Sequence, residues 1–358
     1  MSKSLVRWDV FCKIVDNYGD IGVCWRLVKQ LAQEHGLQVQ LWVDDLNIAR
    51  KIIPALDITQ TSQVVDGVQI THWQESTIYD RPAGIVIEAF GCGLPAAYLT
   101  KMQASNVWVN LEYLSAESWV EGFHGRHAVH GALKRYFYFP GFTAATGGLI
   151  RESNITIASN KIEESHALKV SLFCYQTAPI RALLTALSKA QQKTVLFLPL
   201  DHYLQSYANF FDKKQLQAGD TLTSGALTVN VLPFLSQNEY DSLLNTCDIN
   251  FVRGEDSWVR GIWAGKPMIW QPYVQEKETH FDKLNAFLNL FYADCKTETR
   301  AVIRDIHIAW SDGRFNAAHW DALLACLPAW QLHAEKQCRI LSKQTDLAAK
   351  LVIFCNNL

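Results

Sequence analysis

The strongest constraint on the fold of this chain is a strand, turn and helix pattern that begins near residue 8 and is repeated in the second half. The apolar run Trp8 to Val15 is followed by a helical spacing of apolar residues from Val23 to His35 and by a second apolar run from Val39 to Val43. Two short strands joined through a helix are typical of a parallel pair, because parallel strands need a long crossover connection. The sequence therefore predicts a βαβ unit that opens a doubly wound parallel sheet.

The pattern continues through the first half and restarts after a break. Glycine, proline and polar residues are frequent from about 140 to 165, which predicts a linker. Before it, the predicted strands are Gly67 to Trp73, Gly84 to Ile87 and Asn106 to Asn110. After it, the predicted strands are Val170 to Phe173, Thr194 to Leu198, Leu227 to Leu232, Ile249 to Val252 and Pro267 to Trp270, and the predicted helices are Ala178 to Ala190, Glu239 to Thr246 and Ser257 to Trp263.

The chain length predicts two domains. At 358 residues the chain exceeds the roughly 250–300 residues at which a single hydrophobic core stops growing. We expect an N-terminal α/β domain over residues 1–155, completed by a C-terminal helix at about 340–358, and a second α/β domain over residues 165–339. An apolar stripe predicts one long helix from Trp330 to Phe354 that crosses back onto the first domain. Ligands of doubly wound sheets bind at the carboxyl ends of the strands, so we expect the chemistry in a cleft where the two sheets face each other.

The charge balance and the cysteine pattern limit the possible binding partners and the cellular compartment. The 33 Lys and Arg residues nearly balance the 35 Asp and Glu residues, and their scattered positions argue against direct nucleic-acid binding, which needs a basic excess or stripe. No apolar run reaches the ~18–20 residues of a membrane helix, and charge appears too early for a signal peptide. The nine cysteines form no CxxC pair. We therefore expect a soluble, cytoplasmic protein with free thiols.

The first strand-to-helix turn carries two carboxylates. Asp16 and Asp20 lie here beside Gly19 and Gly22, and glycines allow a substrate to approach the backbone. Each aspartate could equally well cap the following helix, since carboxylates favour helix N-termini. Two together favour a catalytic carboxylate. The glycine spacing matches neither the dinucleotide fingerprint nor a P-loop, so a dehydrogenase or a P-loop ATPase is disfavoured.

The corresponding turn in the second half is Arg253-Gly254-Glu255-Asp256-Ser257. A guanidinium beside the N–H groups of a helix N-terminus makes a phosphate site, whereas the structural alternative is an Asp/Ser cap with Arg253 paired to Glu255 or Asp256. A sugar nucleotide needs both cationic and carboxylate groups in its binding site, because cations bind its phosphates and carboxylates bind its hydroxyls. The pattern therefore favours a ligand.

Aromatic residues at two strand ends could contact a base. Phe234 follows a strand and could stack on a base whose edge Gln237 binds, and Tyr175 has a similar position, although an aromatic residue at a strand end is more often part of the core. His124, His127 and His130 suggest zinc by count alone. Gly125 and Gly131 argue against the regular helix that would bring the three imidazoles together, so we expect no metal.

Three segments resemble a known family. The segments Phe11 to Leu27, Asn110 to Glu117 and Phe251 to Ser257 are similar to the bacterial protein-arginine rhamnosyltransferases of elongation factor P, the EarP family, and the likeness runs through essentially the whole chain. The resemblance implies a GT-B glycosyltransferase with two Rossmann-like domains. It implies an enzyme that moves L-rhamnose from dTDP-β-L-rhamnose to an arginine side chain of elongation factor P, which it activates, inverting the anomeric centre without a metal or other cofactor.

The resemblance also implies roles for individual residues. Asp20 matches the general base, Asp16 a second essential carboxylate and Glu255 a third, near the sugar and the leaving group. Glu112 and Tyr113 match a motif on the acceptor side. Donor-binding positions are Arg253, Asp256 and Ser257 at the diphosphate, Tyr175, Phe234 and Gln237 around the thymidine, and Gly22.

Three alternatives stay open at the level of sequence. One is a GT-B enzyme with a different acceptor, and another is a sugar-nucleotide epimerase. The third is a non-catalytic protein that binds elongation factor P. A pure binder has no need of Asp16, Asp20 and Glu255 in two acidic turns, which favours the enzyme.

Overall fold

The computed structural model describes residues 6–16, 18–74, 76–155, 167–200, 204–274 and 279–358. The chain forms two compact units. Unit 1 contains Met1–Ile155 together with Lys343–Leu358, and unit 2 contains Thr156–Ser342. No helix within the described ranges is both long enough and apolar enough to cross a membrane.

Unit 1 is built on an eight-stranded sheet. Its strands are β1 (Trp8–Cys12), β2 (Val39–Val43), β3 (Ser62–Val65), β4 (Val68–His72), β5 (Ile85–Ala89), β6 (Val107–Leu111), β7 (His127–His130) and β8 (Leu133–Tyr138), and its first helices are α1 (Gly19–Gln33), α2 (Leu46–Ile52), α3 (Ala96–Leu99) and α4 (Trp119–Phe123). The strand order is β3-β4-β2-β1-β5-β6-β8-β7, and within the described part of this sheet only the β3–β4 and β7–β8 pairs are antiparallel.

The position of β1 creates the place where a ligand can bind. All five residues of β1 are buried, because parallel neighbours flank the strand on both sides and helices cover such sheets on both faces. The chain order reverses at β1, which pairs with β2 on one side and with β5 on the other. Ligands bind at such switch points, beyond the carboxyl ends of the strands.

Unit 2 repeats this arrangement with six strands. They are β9 (Leu168–Leu172), β10 (Thr194–Pro199), β11 (Thr221–Ser224), β12 (Leu227–Leu232), β13 (Ile249–Arg253) and β14 (Met268–Gln271), in the order β11-β12-β10-β9-β13-β14. Its helices are α5 (Ile180–Lys189), α6 (Leu204–Phe210), α7 (Gln237–Thr246), α8 (Asp256–Ala264), α9 (Thr279–Phe291), α10 (Thr297–Ser311) and α11 (Ala317–Leu341). The switch point lies between β9 and β13.

The single long helix predicted from Trp330 to Phe354 is wrong. Helix α11 ends at Leu341, and a separate helix α12 (Leu347–Asn356) follows. The break has a local cause, because the Asp346 side chain caps α12 by accepting a hydrogen bond from Ala349 N at 3.0 Å. Asp346 also accepts a hydrogen bond from Gln30 of α1 at 3.1 Å, which fixes the start of α12 within unit 1.

Two further boundaries differ from the prediction. Helix α1 begins at Gly19 and not at Val23, so Asp20 and Gly22 lie in its first turn. Residues 140–155, predicted as linker, belong to unit 1, where Phe142, Leu149 and Ile150 are buried. The remainder of the predicted linker, residues 156–165, lies outside the described residues.

Candidate functional site

The carboxylate of Asp20 holds the turn after β1 together. The residue is only 2% exposed, and its Oδ2 accepts hydrogen bonds from the backbone N–H groups of Val15 at 2.7 Å and Asp16 at 2.8 Å. Asp16 is half-buried, and a Cβ atom on Gly19 would lie 2.9 Å from its Oδ2, so this glycine lets the Asp16 side chain lie against the backbone. The N-cap of α1 is Tyr18, so neither aspartate occupies the cap position proposed as the structural alternative.

The segment after β6 reaches the same turn. The Tyr113 hydroxyl donates a hydrogen bond to Asp20 Oδ1 at 3.2 Å, and the Tyr113 ring stacks on Phe90 with a centroid distance of 4.4 Å. Glu112 accepts a hydrogen bond from Asn110 Nδ2. The structure therefore brings Tyr113 and Asp20 together at the carboxyl ends of β1 and β6, while Gly22 is buried in α1, where its N–H donates to Tyr18 O.

The Arg253 guanidinium is fixed at the end of β13. Its side chain is buried, and Nη1 donates a 2.8 Å hydrogen bond to the carbonyl oxygen of Cys174, which follows β9. The guanidinium carbon lies 4.0 Å from the centroid of the Phe173 ring and 4.9 Å from that of Tyr175. Aromatic faces and a backbone carbonyl thus hold a permanent positive charge at the switch point of unit 2.

The turn from Arg253 into α8 leaves the start of this helix without a side-chain cap. The N-cap residue Glu255, which the structure describes, makes no cap hydrogen bond from its side chain, whereas the neighbouring α7 has a complete capping box from Ser236 and Glu239. Ser257 bonds back to the Arg253 backbone, accepting from its N–H at 3.0 Å and donating to its carbonyl. Such an N-terminus presents N–H donors to an anion.

The other predicted donor residues lie after strands or at a helix start in the same unit. Gln237 begins α7, and its Nε2 donates to Asp256 Oδ2 at 3.4 Å. Tyr175 donates its backbone N–H to Gln271 Oε1 at 2.8 Å. Phe234 is half-buried between β12 and α7. Gln237 is therefore linked to Asp256 and Arg253 to Tyr175, and Phe234 lies three residues before Gln237.

The thiol of Cys12 lies just before the first turn and is disfavoured from ionising. Cys12 ends β1, and its hydrogen bond with Cys24, together with complete burial, raises the pKa of the Cys12 thiol well above its usual value. A thiol must ionise to attack an electrophile. The raised pKa therefore disfavours Cys12 as a nucleophile at this turn.

The three histidines do not form one cluster. His127 and His130 lie on the exposed strand β7, where residues three apart point to opposite faces of the sheet. His124 Nδ1 accepts a hydrogen bond from Phe139 N at 3.1 Å, and burial lowers the pKa of this imidazole. No group of three or more His, Cys, Asp or Glu residues that could hold a metal occurs within the ranges the structure describes.

Sequence reasoning missed the residues that support the site. Phe90 stacks on Tyr113, and Asn110 and Gln271 bind Glu112 and Tyr175 respectively. The only sequence signal for the first of these is the turn that starts at Gly91, directly after Phe90.

The fold has the two Rossmann-like units of GT-B glycosyltransferases. The crystal structure of the kitacinnamycin glycotransferase aligns with a TM-score of 0.55 at 10% identity, over 97% of this chain and 98% of that one. The chain thus has the GT-B fold, as predicted.

Closer likenesses define the family. The family model for the elongation-factor P rhamnosyltransferase EarP matches residues 8–356. The protein-arginine rhamnosyltransferase of Pseudomonas putida is 42% identical over 98% of each chain. A solved structure of EarP, which describes arginine glycosylation of translation elongation factor EF-P, aligns with a TM-score of 0.68 at 33% identity, over 98% of this chain and 99% of that one. The chain belongs to the EarP family of protein-arginine rhamnosyltransferases.

Proposed function

We propose that this enzyme transfers L-rhamnose from dTDP-β-L-rhamnose to an arginine side chain of translation elongation factor P and thereby activates it. The observation that carries the proposal is the family match over residues 8–356, combined with an acidic turn at the switch point of each unit. The relative described as acting on an arginine of EF-P covers almost the whole chain at 33% identity, which supports the same acceptor. All nine cysteines are free thiols, a state that the reducing cytosol maintains, and we place the reaction there.

Unit 2 binds the donor in this proposal. The diphosphate lies at the N-terminus of α8, where Arg253 and the backbone N–H groups at Asp256 and Ser257 supply positive charge. The missing side-chain cap on α8 supports this assignment, because a cap would compete with the phosphate for the same donors. The local charge also explains how a chain with a net charge of −2 can hold a diphosphate.

The thymidine lies against the residues next to that turn. Tyr175 and Phe234 offer ring faces for stacking, and Gln237 offers an amide to the edge of the base. The link from Gln237 to Asp256 supports the assignment, because it joins the base-binding residue to the diphosphate-binding turn. Gly22 belongs to unit 1, in the buried first turn of α1 beside Asp20, and stays a proposed donor-binding position.

Unit 1 receives the acceptor protein. An arginine guanidinium has a pKa above 12 and delocalised lone pairs, so it becomes a nucleophile only when it is positioned and loses a proton as the new bond forms. Asp20 is the general base. Asp16 is the second carboxylate on the guanidinium, and Glu112 and Tyr113 lie on the acceptor side of the same turn.

The transfer is a single displacement with inversion. A guanidinium nitrogen attacks the anomeric carbon, the bond from this carbon to the dTDP oxygen breaks, and Asp20 takes the nitrogen's proton. Arg253 and the α8 N-terminus stabilise the diphosphate as it leaves, which is the task that a divalent cation would otherwise perform, so the proposal needs no metal. Glu255 interacts with the sugar near the leaving group.

Intact-protein mass spectrometry tests the proposal. Incubation of elongation factor P with the enzyme and dTDP-β-L-rhamnose should add one deoxyhexose, which peptide fragmentation should locate on an arginine. An acceptor with lysine in place of that arginine should stay unmodified. Transfer from another sugar nucleotide but not from dTDP-rhamnose would overturn the donor, and modification of the lysine variant would overturn the acceptor residue.

A further inference from the structure

Phe90 has a backbone conformation that its side chain does not favour. Its φ angle is +58°, in the left-handed region, where a bulky residue costs energy. The other non-glycine residues with positive φ in the described chain are Asp66 and Asp212, and aspartate tolerates this region because of its short polar side chain. Other interactions must therefore compensate for the backbone strain at Phe90.

The strained residue ties two strand ends together. Phe90 follows β5 directly, and its N–H donates a 2.7 Å hydrogen bond to Leu111 O at the end of β6. The next residue, Gly91, donates its N–H to Asn110 Oδ1 at 2.9 Å, and Asn110 in turn binds Glu112. The turn after β5 thus fixes the backbone from which Glu112 and Tyr113 project.

The Phe90 ring acts on the Tyr113 ring. The two rings stack at a centroid distance of 4.4 Å with an interplanar angle of 13°, and the Tyr113 hydroxyl then donates to Asp20 Oδ1. The other Asp20 oxygen already accepts the N–H groups of Val15 and Asp16. A carboxylate oxygen has two lone pairs, so the Tyr113 hydrogen bond orients Oδ1 and leaves one lone pair for a substrate proton.

We propose that Phe90 is a positioning residue for rhamnosyl transfer: its left-handed backbone and its stacked ring hold the Tyr113 hydroxyl on Asp20 and so aim this carboxylate at the acceptor nitrogen. The inference rests on the proposed function, in which Asp20 is the base. Small misalignments of a reacting group lower turnover strongly, because the correct geometry is part of the lowered barrier.

A double-mutant cycle tests this role. Phe90→Leu and Tyr113→Phe should each lower kcat about tenfold, the size expected for a lost orienting hydrogen bond, and leave the KM for dTDP-rhamnose unchanged. Because both act through the same contact, the double variant should be no slower than the slower single variant. Phe90→Tyr keeps a stacking ring and should retain turnover, whereas Phe90→Asn tolerates the backbone but lacks the ring and should lose it.

Controls separate positioning from stability and from the proposed function itself. Phe211→Leu removes a ring from an aromatic pair in unit 2 and should leave kcat unchanged. Additive losses in the double variant, a normal kcat for Phe90→Leu, or a change confined to the KM for the acceptor would each overturn the positioning role. If one of these results is obtained while the parent enzyme transfers rhamnose and Asp20→Asn does not, only the role of Phe90 is overturned. A parent enzyme that transfers no rhamnose overturns both proposals.

Discussion

Arg253 Nη1 donates a hydrogen bond to the carbonyl oxygen of Cys174 at 2.8 Å. Arg253 ends β13 and Cys174 follows the neighbouring strand β9, where the strand order of unit 2 reverses. A guanidinium is planar, so one hydrogen bond to the backbone and a ring face at 4.0 Å fix the direction of all its N–H groups. The main chain after an adjacent strand therefore fixes the orientation of the guanidinium to which the proposed function assigns the diphosphate.

Arg253→Lys should weaken dTDP binding about 10- to 100-fold. An ammonium keeps the charge but cannot hold the Cys174 carbonyl and a phosphate in a fixed planar arrangement, and charged hydrogen bonds contribute about 1.5–3 kcal/mol each. Isothermal titration calorimetry with dTDP measures the loss.

The matched control is Arg260→Lys. Arg260 is also buried and lies on α8, but it pairs with Asp241 at 2.7 Å. This variant should lose stability without losing dTDP affinity. Equal affinity losses in the two variants would assign the effect to the packing of unit 2 and not to the phosphate.

Asp20→Asn should abolish transfer and leave dTDP-rhamnose affinity close to that of the parent. The amide keeps the size of the side chain and can still accept hydrogen bonds from Val15 and Asp16, but it cannot accept the guanidinium proton. Steady-state kinetics and calorimetry on the same preparation give both quantities. The control is Asp45→Asn, because Asp45 caps α2 and asparagine caps a helix equally well. Parallel losses of donor affinity and turnover in Asp20→Asn would exclude the role of a base.

dTDP should stabilise the protein much more than thymidine does. A ligand present at 100 times its Kd adds about 2.7 kcal/mol to the free energy of unfolding. In the proposed donor site, thymidine would contact Tyr175, Phe234 and Gln237 but has no diphosphate for Arg253 and the α8 N-terminus. Thermal unfolding at equal ligand concentrations compares the two, and similar shifts in Tm would contradict the diphosphate site.

Most parallel strands could be predicted from the sequence, including the edge strand β14, whereas the antiparallel edge strands β3, β7 and β11 and the inner strand β8 could not. Strands such as β1 are buried on both faces, so they appear as continuous apolar runs. The edge strands β3 and β7 face solvent, and Val64 and Val129 are 66% and 72% exposed, so neither strand produces a periodic apolar signal. The break between α11 and α12 was missed because the apolar stripe continues across it, whereas the interaction of Asp346 with Gln30 joins residues far apart in the chain.

Contacts between residues far apart in the chain also limit what the sequence predicts about the candidate functional site. Carboxylates and an arginine in strand-to-helix turns are visible in the sequence, because the turn chemistry is local. The partners of these groups are not local: 93 positions separate Tyr113 from Asp20, and 79 separate Arg253 from Cys174. A single sequence contains no signal for either contact, so only the folded sheets identify them.

Stability should fall on acidification because of a buried histidine in unit 2. Burial lowers the pKa of His307 from 6.5 to about 4, while its Nδ1 lies 2.8 Å from the Ile303 carbonyl oxygen. The unfolded chain therefore takes up a proton below about pH 6.5 and the folded chain only below about pH 4, so acid favours unfolding across this window and stability is complete above it.

The slope gives a quantitative test. At about 1.4 kcal/mol per pH unit, His307 should remove about 2 kcal/mol of the free energy of unfolding between pH 7 and pH 5. Burial also lowers the pKa of His333 and adds to this loss, whereas the raised pKa values of the carboxyls of Asp9 and Asp44 oppose it, so the test compares each variant with the parent. His307→Gln keeps a donor for Ile303 and cannot gain a proton, so its urea unfolding should depend less on pH by about that amount. His127→Gln, on the exposed strand β7, serves as the control, and a His307→Gln variant with the parent's pH dependence would rule out this origin of the acid sensitivity.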